Sequence, residues 1–266
     1  MVEETVPIEF NRRIGKDIWL MGFRSERLAS SAMPGQFLML RVDSNSKDPL
    51  LRRPFSIHEK SDDNRLTILY KVVGQGTSLF STLKEDDSIS VIGPLGNGFS
   101  LPHPEERAIL VAGGMGIAPL FFLAQALSRA QKRHMKMLLG FPTSQEVVLA
   151  DQLKDLGVNL SLATEDGSLG FRGLVTDLFD QSIDQESEAK PIIYACGPRP
   201  MIKKIVNKAM TFNLKCFVSM EGFMACGLGI CLGCAIKAAQ GKEKVYYYVC
   251  QDGPVFSAEM IDWEVM

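Results

Sequence analysis

Up to about Leu101 the apolar residues fall in short runs, FLMLRV, RLTILYKVV and SISVIG, parted by the polar clusters DSNSKDP, KSDDN and KEDD. Runs of this length without a helical period predict strands of an antiparallel barrel or sandwich. From about Glu105 the texture alternates. AILVA (108–112), MKMLLG, VNLSLA, PIIYAC and CFVSM read as buried strands. Between them lie helical stretches over GIAPLFFLAQALSRAQKR, Glu146 to Leu156, Leu174 to Phe179 and Met201 to Thr211. Five apolar strands interleaved with helices predict a doubly wound parallel sheet. Beyond Glu221 the chain turns Gly- and Cys-rich with no clean period, and a third, small element is expected there.

That last stretch carries the sharpest chemistry. Cys226, Cys231 and Cys234 are spaced C-x4-C-x2-C, and Cys250 follows sixteen positions later. The spacing is that of a plant-type [2Fe–2S] cluster, in which four thiolates hold two irons. Gly227, Gly229 and Gly233 suit a tight loop that turns backbone N–H groups toward sulfur. Structural zinc also takes four cysteines, but usually as two separate C-x2-C pairs. Cys216, inside CFVSM, reads as a small core residue.

The other motifs are individually weaker. In LLRRPFSI (50–57), Arg53 is placed to pair its guanidinium with a pyrophosphate, and Ser56 to bond a ring edge. In VVGQGTSLF, Gly74, Gly76 and Thr77 allow backbone donors to approach phosphate closely. Taken alone, a twin arginine is more often a solvated surface, and G-x-G-T more often a plain turn; the two together in a β-rich domain are the stronger signal. Gly113, Gly114 and Gly116 form a strand-to-helix turn in AILVAGGMGIAPL, which suits phosphate at a helix N-terminus or simply a tight corner. In a sheet ordered 3-2-1-4-5, the first and fourth strands are neighbours at the switch point. GGMG and CGPRP would then face each other across one crevice with Cys196 at its floor. A buried strand-end thiol is the plainer reading of Cys196.

Composition limits the partners. The 266 residues carry a net charge of −2, which gives no footprint for nucleic acid or anionic lipid. The opening MVEETVPIEF does not read as a secretory leader, and IAPLFFLAQAL falls short of the roughly 20 residues a membrane span needs. A cytoplasmic protein is expected, where clustered cysteines favour metal over disulfides. His58, His103 and His134 fall in no motif and read as surface residues.

Taken in order, RPFS (53–56), GQGT (74–77), GGMGIAP with CGPRPM, and EGFMACGLGICLGC with CQDGPVF resemble the ferredoxin–NADP reductase superfamily. Within it they resemble the electron transfer subunits of NAD-linked dihydroorotate dehydrogenases, over essentially the whole length. The resemblance implies an antiparallel Greek-key FAD-binding barrel over 1–101, a doubly wound NAD-binding domain over 102–220 and an iron–sulfur subdomain over 221–266. It places FAD against Arg53, Pro54, Phe55, Ser56, Tyr70, Lys71, Val72, Gly76 and Thr77. The nicotinamide would meet Gly114, Gly116, Cys196, Gly197 and Pro198, and the cluster Cys226, Cys231, Cys234 and Cys250. Cys196 is the residue expected to position the reactive ring.

Subunits of sulfide dehydrogenases and ferredoxin-linked transhydrogenases share this architecture, some with aspartate for one ligand. Four cysteines favour the dihydroorotate family. No base for oxidising a carbon acid is evident in the motifs, so that step is expected on an FMN-containing partner chain, in a two-plus-two heterotetramer, with this chain relaying electrons to NAD for pyrimidine synthesis. For the nucleotide, Arg172 is the single basic candidate for a 2′-phosphate, which favours NAD over NADP. A zinc-stabilised binding module is the reading from another class.

Overall fold

The computed structural model describes residues 1–42, 48–103, 106–130, 135–183 and 190–266. The polar cluster at 43–47, the last residues of the expected helical stretch at 131–133 and His134 lie outside the described residues.

Six strands close a barrel: β1 (Val2–Gly15), β2 (Ile18–Arg24), β3 (Phe37–Val42), β4 (Arg53–Lys60), β5 (Arg65–Lys71) and β6 (Ser88–Leu95). Their order is β1-β2-β5-β4-β3-β6, with every pairing antiparallel. β3, β4 and β5 follow one another, and β6 returns beside β3, which is a Greek key. Alternation sends Leu38, Leu40, Ile57, Ile68, Ile89 and Val91 into one core. Helix α1 (Glu26–Ala29) is a short excursion, capped where the Ser25 hydroxyl accepts from the Leu28 N–H. Helix α2 (Gln75–Thr82) follows β5 directly and shows its N-terminus to the start of β4.

The second unit is a seven-stranded sheet. Its strands are β7 (Ala108–Gly113), β8 (Met135–Phe141), β9 (Asn159–Thr164), β10 (Phe171–Arg172), β11 (Ile192–Cys196) and β12 (Cys216–Ser219), joined by one from the C-terminal segment. That segment holds a hairpin, β13 (Ala235–Lys237) with β14 (Tyr246–Tyr248), and then β15 (Val255–Ser257). The order β10-β9-β8-β7-β11-β12-β15 contains the expected 3-2-1-4-5 core, all parallel. The extra edge strand β15 runs antiparallel to β12, pairing Val218 with Phe256. The cysteine-rich segment is therefore stapled to the nucleotide sheet. It also reaches the barrel, where the Asn97 N–H donates to the Gly253 carbonyl at 2.6 Å.

Helices α3 (Ile117–Arg129), α4 (Ala150–Asp155), α5 (Val175–Ser182) and α6 (Arg199–Thr211) cover the sheet. The stretch expected as one helix from Glu146 is a single 3-10 turn over Ser144–Glu146, then α4. Leu149 between them adopts a left-handed φ of 64°, which breaks the helix.

One sequence expectation is corrected here. His58 is not a surface residue: it is 1% exposed, wedged between β4 and α3. Its ring lies 4.4 Å from that of Phe121, and Nδ1 donates to the Ala118 carbonyl at 3.3 Å. Nothing local distinguishes it, because the helix that buries it arrives sixty residues later. Burial lowers the His58 pKa from 6.5 to about 4, against the raising effect of the Ala118 bond. The folded state thus binds this proton less readily than the unfolded chain. The site is neutral to stability above about pH 6.5 and costs progressively more as pH falls toward 4, up to about 3 kcal/mol. Denaturant midpoints measured across this window are expected to drop for the native chain and to flatten for His58→Phe or His58→Leu. Parallel curves would contradict the assignment. His103 is exposed, as expected.

Candidate functional site

The twin arginines divide the work. Neighbouring residues on a strand point to opposite faces. Arg52 turns onto the barrel wall, bonded to the Ser90 carbonyl and hydroxyl at 2.9 Å each and to Glu3 at 2.5 Å. Arg53 instead lines a crevice of about 380 Å³ together with Pro54, Phe55, Ser56, Tyr70, Lys71 and Thr77. Gly76 lets the Arg53 side chain lie close against the turn, since a Cβ there would stand 2.6 Å from the Arg53 Nε and push it aside. The Thr77 hydroxyl holds the turn, accepting from the Val73 and Gly74 N–H groups at 2.9 and 3.1 Å and donating to the Gly74 carbonyl at 3.0 Å. Tyr70 directs its hydroxyl away, to Asn11 Oδ1 at 2.9 Å, so its ring is what meets the crevice, braced edge-on by Phe55 and Phe80. Of the expected flavin residues, Val72 and Gly76 do not line this space, although Val73 does; the Val72 N–H is committed to the Asp17 carbonyl, and Gly76 packs against the Arg53 side chain.

The same crevice receives residues from the other two parts of the chain. Met115, Ala118 and Pro119 enter from the glycine turn, Cys196 from the end of β11, and Glu221, Gly222 and Met224 from the cysteine-rich segment. Burial first, then the charge of Glu221, pushes the Cys196 thiol up to about 12, with a Ser219 hydrogen bond opposing. It is a protonated, neutral S–H across the physiological range. The carboxyl of Glu221 is itself raised by desolvation, with the charge of Arg199 pulling the other way.

A second crevice, of about 430 Å³, opens at the carboxyl ends of β7, β8, β9 and β11. This is where ligands bind in such sheets. Gly113, Gly114, Pro198 and Met201 line one side; Gly140, Phe141, Glu146, Glu165 and the start of α5 line the other. Gly116 and Gly197 stand at the contact between the two strand ends, where a Cβ on Gly116 would fall 2.0 Å from the Cys196 carbonyl oxygen. Glu146, Glu165 and Lys204 were flagged by no motif. The signal available was the 3-2-1-4-5 order, which brings the ends of the second and third strands to the same rim. Arg172, the candidate for a 2′-phosphate, is exposed and takes no part in this lining, while two carboxylates do.

In the cysteine loop, backbone donors aim at sulfur. The N–H groups of Leu228 and Cys231 donate to Cys226 Sγ at 3.3 and 3.4 Å, that of Gly229 to Cys250 Sγ at 3.1 Å, and that of Cys250 to Cys234 Sγ at 3.4 Å. Gly227 and Gly229 have φ of 70° and 78°, the left-handed region that lets these groups point inward. Although desolvation raises it, these donors bring the Cys226 thiol down to about 6, whereas burial and Cys234 push Cys250 up to about 12. The sulfurs stand in two pairs. Cys234 and Cys250 are 3.3 Å apart, and Cys226 is hydrogen-bonded by the Cys231 side chain. Among the described residues no three of the chain's His, Cys, Asp and Glu side chains surround one point. Two irons with two thiolates each require paired sulfurs, whereas one zinc needs four around a single centre.

Known proteins show the same three-part order. The family model "Iron-sulfur cluster binding domain of dihydroorotate dehydrogenase B" matches residues 221–262. Models for an oxidoreductase NAD-binding domain and an oxidoreductase FAD-binding domain match 110–207 and 5–100. The electron transfer subunit of dihydroorotate dehydrogenase B (NAD(+)) from Caldanaerobacter subterraneus subsp. tengcongensis is 41% identical over 251 residues, 94% of this chain and 95% of that protein. The chain belongs to that family. The namesake from Fusobacterium nucleatum subsp. nucleatum is 36% identical over 98% of this chain and 99% of its own. Among solved structures, the NADH-dependent reduced ferredoxin–NADP oxidoreductase studied for electron bifurcation superposes with a TM-score of 0.85 at 31% identity. That match covers 98% of this chain and 90% of that one. The ferredoxin reductase of carbazole 1,9a-dioxygenase, with a TM-score of 0.70 at 20% identity over 80% of this chain and 66% of its own, shares the fold. The chain is an oxidoreductase subunit with FAD-, NAD- and iron–sulfur-binding parts, and its family's name implies a catalytic partner chain. No helix among the described residues is long and apolar enough to cross a membrane.

Proposed function

We propose that this chain carries electrons from an FMN-containing, dihydroorotate-oxidising partner through a [2Fe–2S] cluster and FAD to NAD+, as half of a cytoplasmic two-plus-two assembly. One observation carries the reading: Arg53–Ser56, Cys196 and the Glu221–Met224 segment all line a single crevice. A bound flavin would there have the hydride carrier and the one-electron centre within its reach.

When bound, FAD supplies the exchange between a two-electron hydride and single-electron transfer. The chain's residues position and insulate. Arg53 and the α2 turn, fixed by Thr77, would hold a pyrophosphate, and the Ser56 hydroxyl and the Tyr70 ring would bound the flavin's edge and face. Cys196, kept neutral, offers the nicotinamide ring a close apolar contact without adding a charge that would oppose hydride movement. Cys226, Cys231, Cys234 and Cys250 would ligate the cluster. Their burial is graded: Cys234 and Cys250 are buried, Cys226 is intermediate and Cys231 is exposed. The inner pair faces the protein and the outer pair faces outward, and nearby in the sequence Phe223, Ile230 and Leu232 are 94%, 77% and 52% exposed. Exposed apolar groups beside an exposed ligand suit a protein partner.

The test is pull-down of the tagged chain from its native host under anaerobic conditions. The expected co-purifying protein contains FMN, and dihydroorotate reduces NAD+ only when both chains are present. Iron and acid-labile sulfide should appear in equal amounts in the isolated chain. An isolated chain that oxidised dihydroorotate unaided, or one free of iron, would defeat the proposal. The likeness to the ferredoxin–NADP oxidoreductase supports a second reading with a ferredoxin-linked partner, which the same pull-down would reveal.

A further inference from the structure

Lys71 at the end of β5 lines both the flavin-side crevice and the crevice at the sheet's carboxyl ends, so it stands where the two meet. Its ammonium is committed. Lys71 Nζ lies 2.6 Å from Glu146 Oε2, an ion pair across the two units, with side chains 33% and 17% exposed. Glu146 ends the 3-10 turn after β8, and that loop is held by the Ser144 N–H donating to Ser168 Oγ at 2.7 Å, itself bonded to Asp166. The loop that carries the carboxylate is thus held from its own side.

A dinucleotide laid from the β8–β9 rim toward the flavin would carry its phosphates past this pair. The charged side chains lining the rim crevice are Lys71, Lys204, Glu146 and Glu165, two of each sign. Neutral lining is a poor field for a pyrophosphate unless one cation is released from its partner. We propose that Glu146 is a specificity-determining residue of this crevice: it competes with the incoming nucleotide's phosphates for the Lys71 ammonium, lowering affinity for every dinucleotide and most for those bearing a further phosphate. This rests on reading the crevice as the NAD site. Binding requires a cation that is mostly held elsewhere, so the apparent affinity falls by the fraction of time the cation is free. Glu165, on the same rim, adds to the bias against a 2′-phosphate, whose charge is about −2.

The experiment uses the chain loaded with oxidised FAD and its cluster, titrated with NAD+ and with NADP+, which cannot reduce the flavin, while flavin absorbance or fluorescence reports binding. Glu146→Gln keeps the shape of the side chain and removes its charge. The Kd for NAD+ is expected to fall about fivefold or more, that for NADP+ by a larger factor, and both to become more sensitive to salt. In a Lys71→Gln background the same change should alter either Kd by less than about twofold, because the competition no longer exists. Flavin content and visible spectrum of each variant report whether it has folded. An unchanged or weaker Kd in Glu146→Gln overturns the inference, as does an effect that persists without Lys71. A fully loaded native chain that bound neither nucleotide would overturn the reading of the crevice, and the inference with it.

Discussion

Replacing Cys234 with alanine is expected to cut dihydroorotate-driven NAD+ reduction by the assembled enzyme by more than about a hundredfold, while NADH oxidation with a dye acceptor survives. Loss of groups that merely orient metal ligands typically costs about 10- to 100-fold, so loss of an inner ligand should exceed that. Cys234 is buried at 4% exposure, its sulfur touches that of Cys250, and it accepts from the Cys250 N–H. The nucleotide-to-flavin half should persist because the segment is anchored independently of its cysteines. β15 pairs with β12, the Trp263 Nε1–H donates to the Ala258 carbonyl at 2.7 Å, and Asn97 Nδ2 holds the Asp252 carbonyl at 2.9 Å. Cys216→Ala is the control. It removes a similarly buried thiol from β12, outside the four-cysteine set, and should leave iron content and both activities intact. The measurements are iron and acid-labile sulfide per chain and the two rates. Retained iron with an unchanged partner-linked rate in Cys234→Ala would remove the cluster from the pathway.

The contrast between these cysteines shows which parts of the molecule were legible in the sequence. Cys226 to Cys250 could be picked out from spacing as a candidate ligand set because all four come from one short segment, and the glycines between them declare the loop. The barrel and the parallel sheet were legible for a similar reason, since period-two runs and strand–helix alternation are local records of burial. What escaped was set by distant packing. The three-residue β15 is too short to carry a period, and only its pairing with Phe217–Ser219 gives it a place. Arg52 and Arg53 are identical in sequence context, yet one braces Glu3 and Ser90 while the other faces the crevice, a division fixed by strand phase. His58 is buried by a helix from the next unit. Glu146 and Glu165 meet on one rim because β8 and β9 are neighbours, a fact of topology with no motif of its own.

Gly116→Ala is expected to destabilise the chain by about 3 kcal/mol, and to abolish measurable NADH binding in whatever protein folds. The reason is approach, not backbone angle. Gly116 has an ordinary helical φ of −59°, so alanine is conformationally acceptable there. Its Cβ, however, would lie 2.0 Å from the Cys196 oxygen, 2.4 Å from the Cys196 carbonyl carbon and 2.8 Å from the Gly197 nitrogen. All three are main-chain atoms at the end of β11, and none can rotate away. Relief requires parting β7 from β11, which are paired residue for residue from Ala108 with Ile192 to Ala112 with Cys196. Parting them moves Cys196 out of the flavin crevice and Pro198 off the rim of the other. Gly114→Ala makes the comparison sharp. Gly114 has a φ of 52°, which costs a side chain roughly 1–2 kcal/mol, but its Cβ would meet no protein atom within 4 Å. That methyl would project into the nucleotide crevice. Gly114→Ala should therefore weaken NADH binding with only a modest loss of stability, and Gly116→Ala should forfeit both. Denaturant unfolding and nucleotide titration on the two variants check this. A Gly116→Ala chain as stable as the native one would mean that the two strand ends do not approach as closely as the backbone places them.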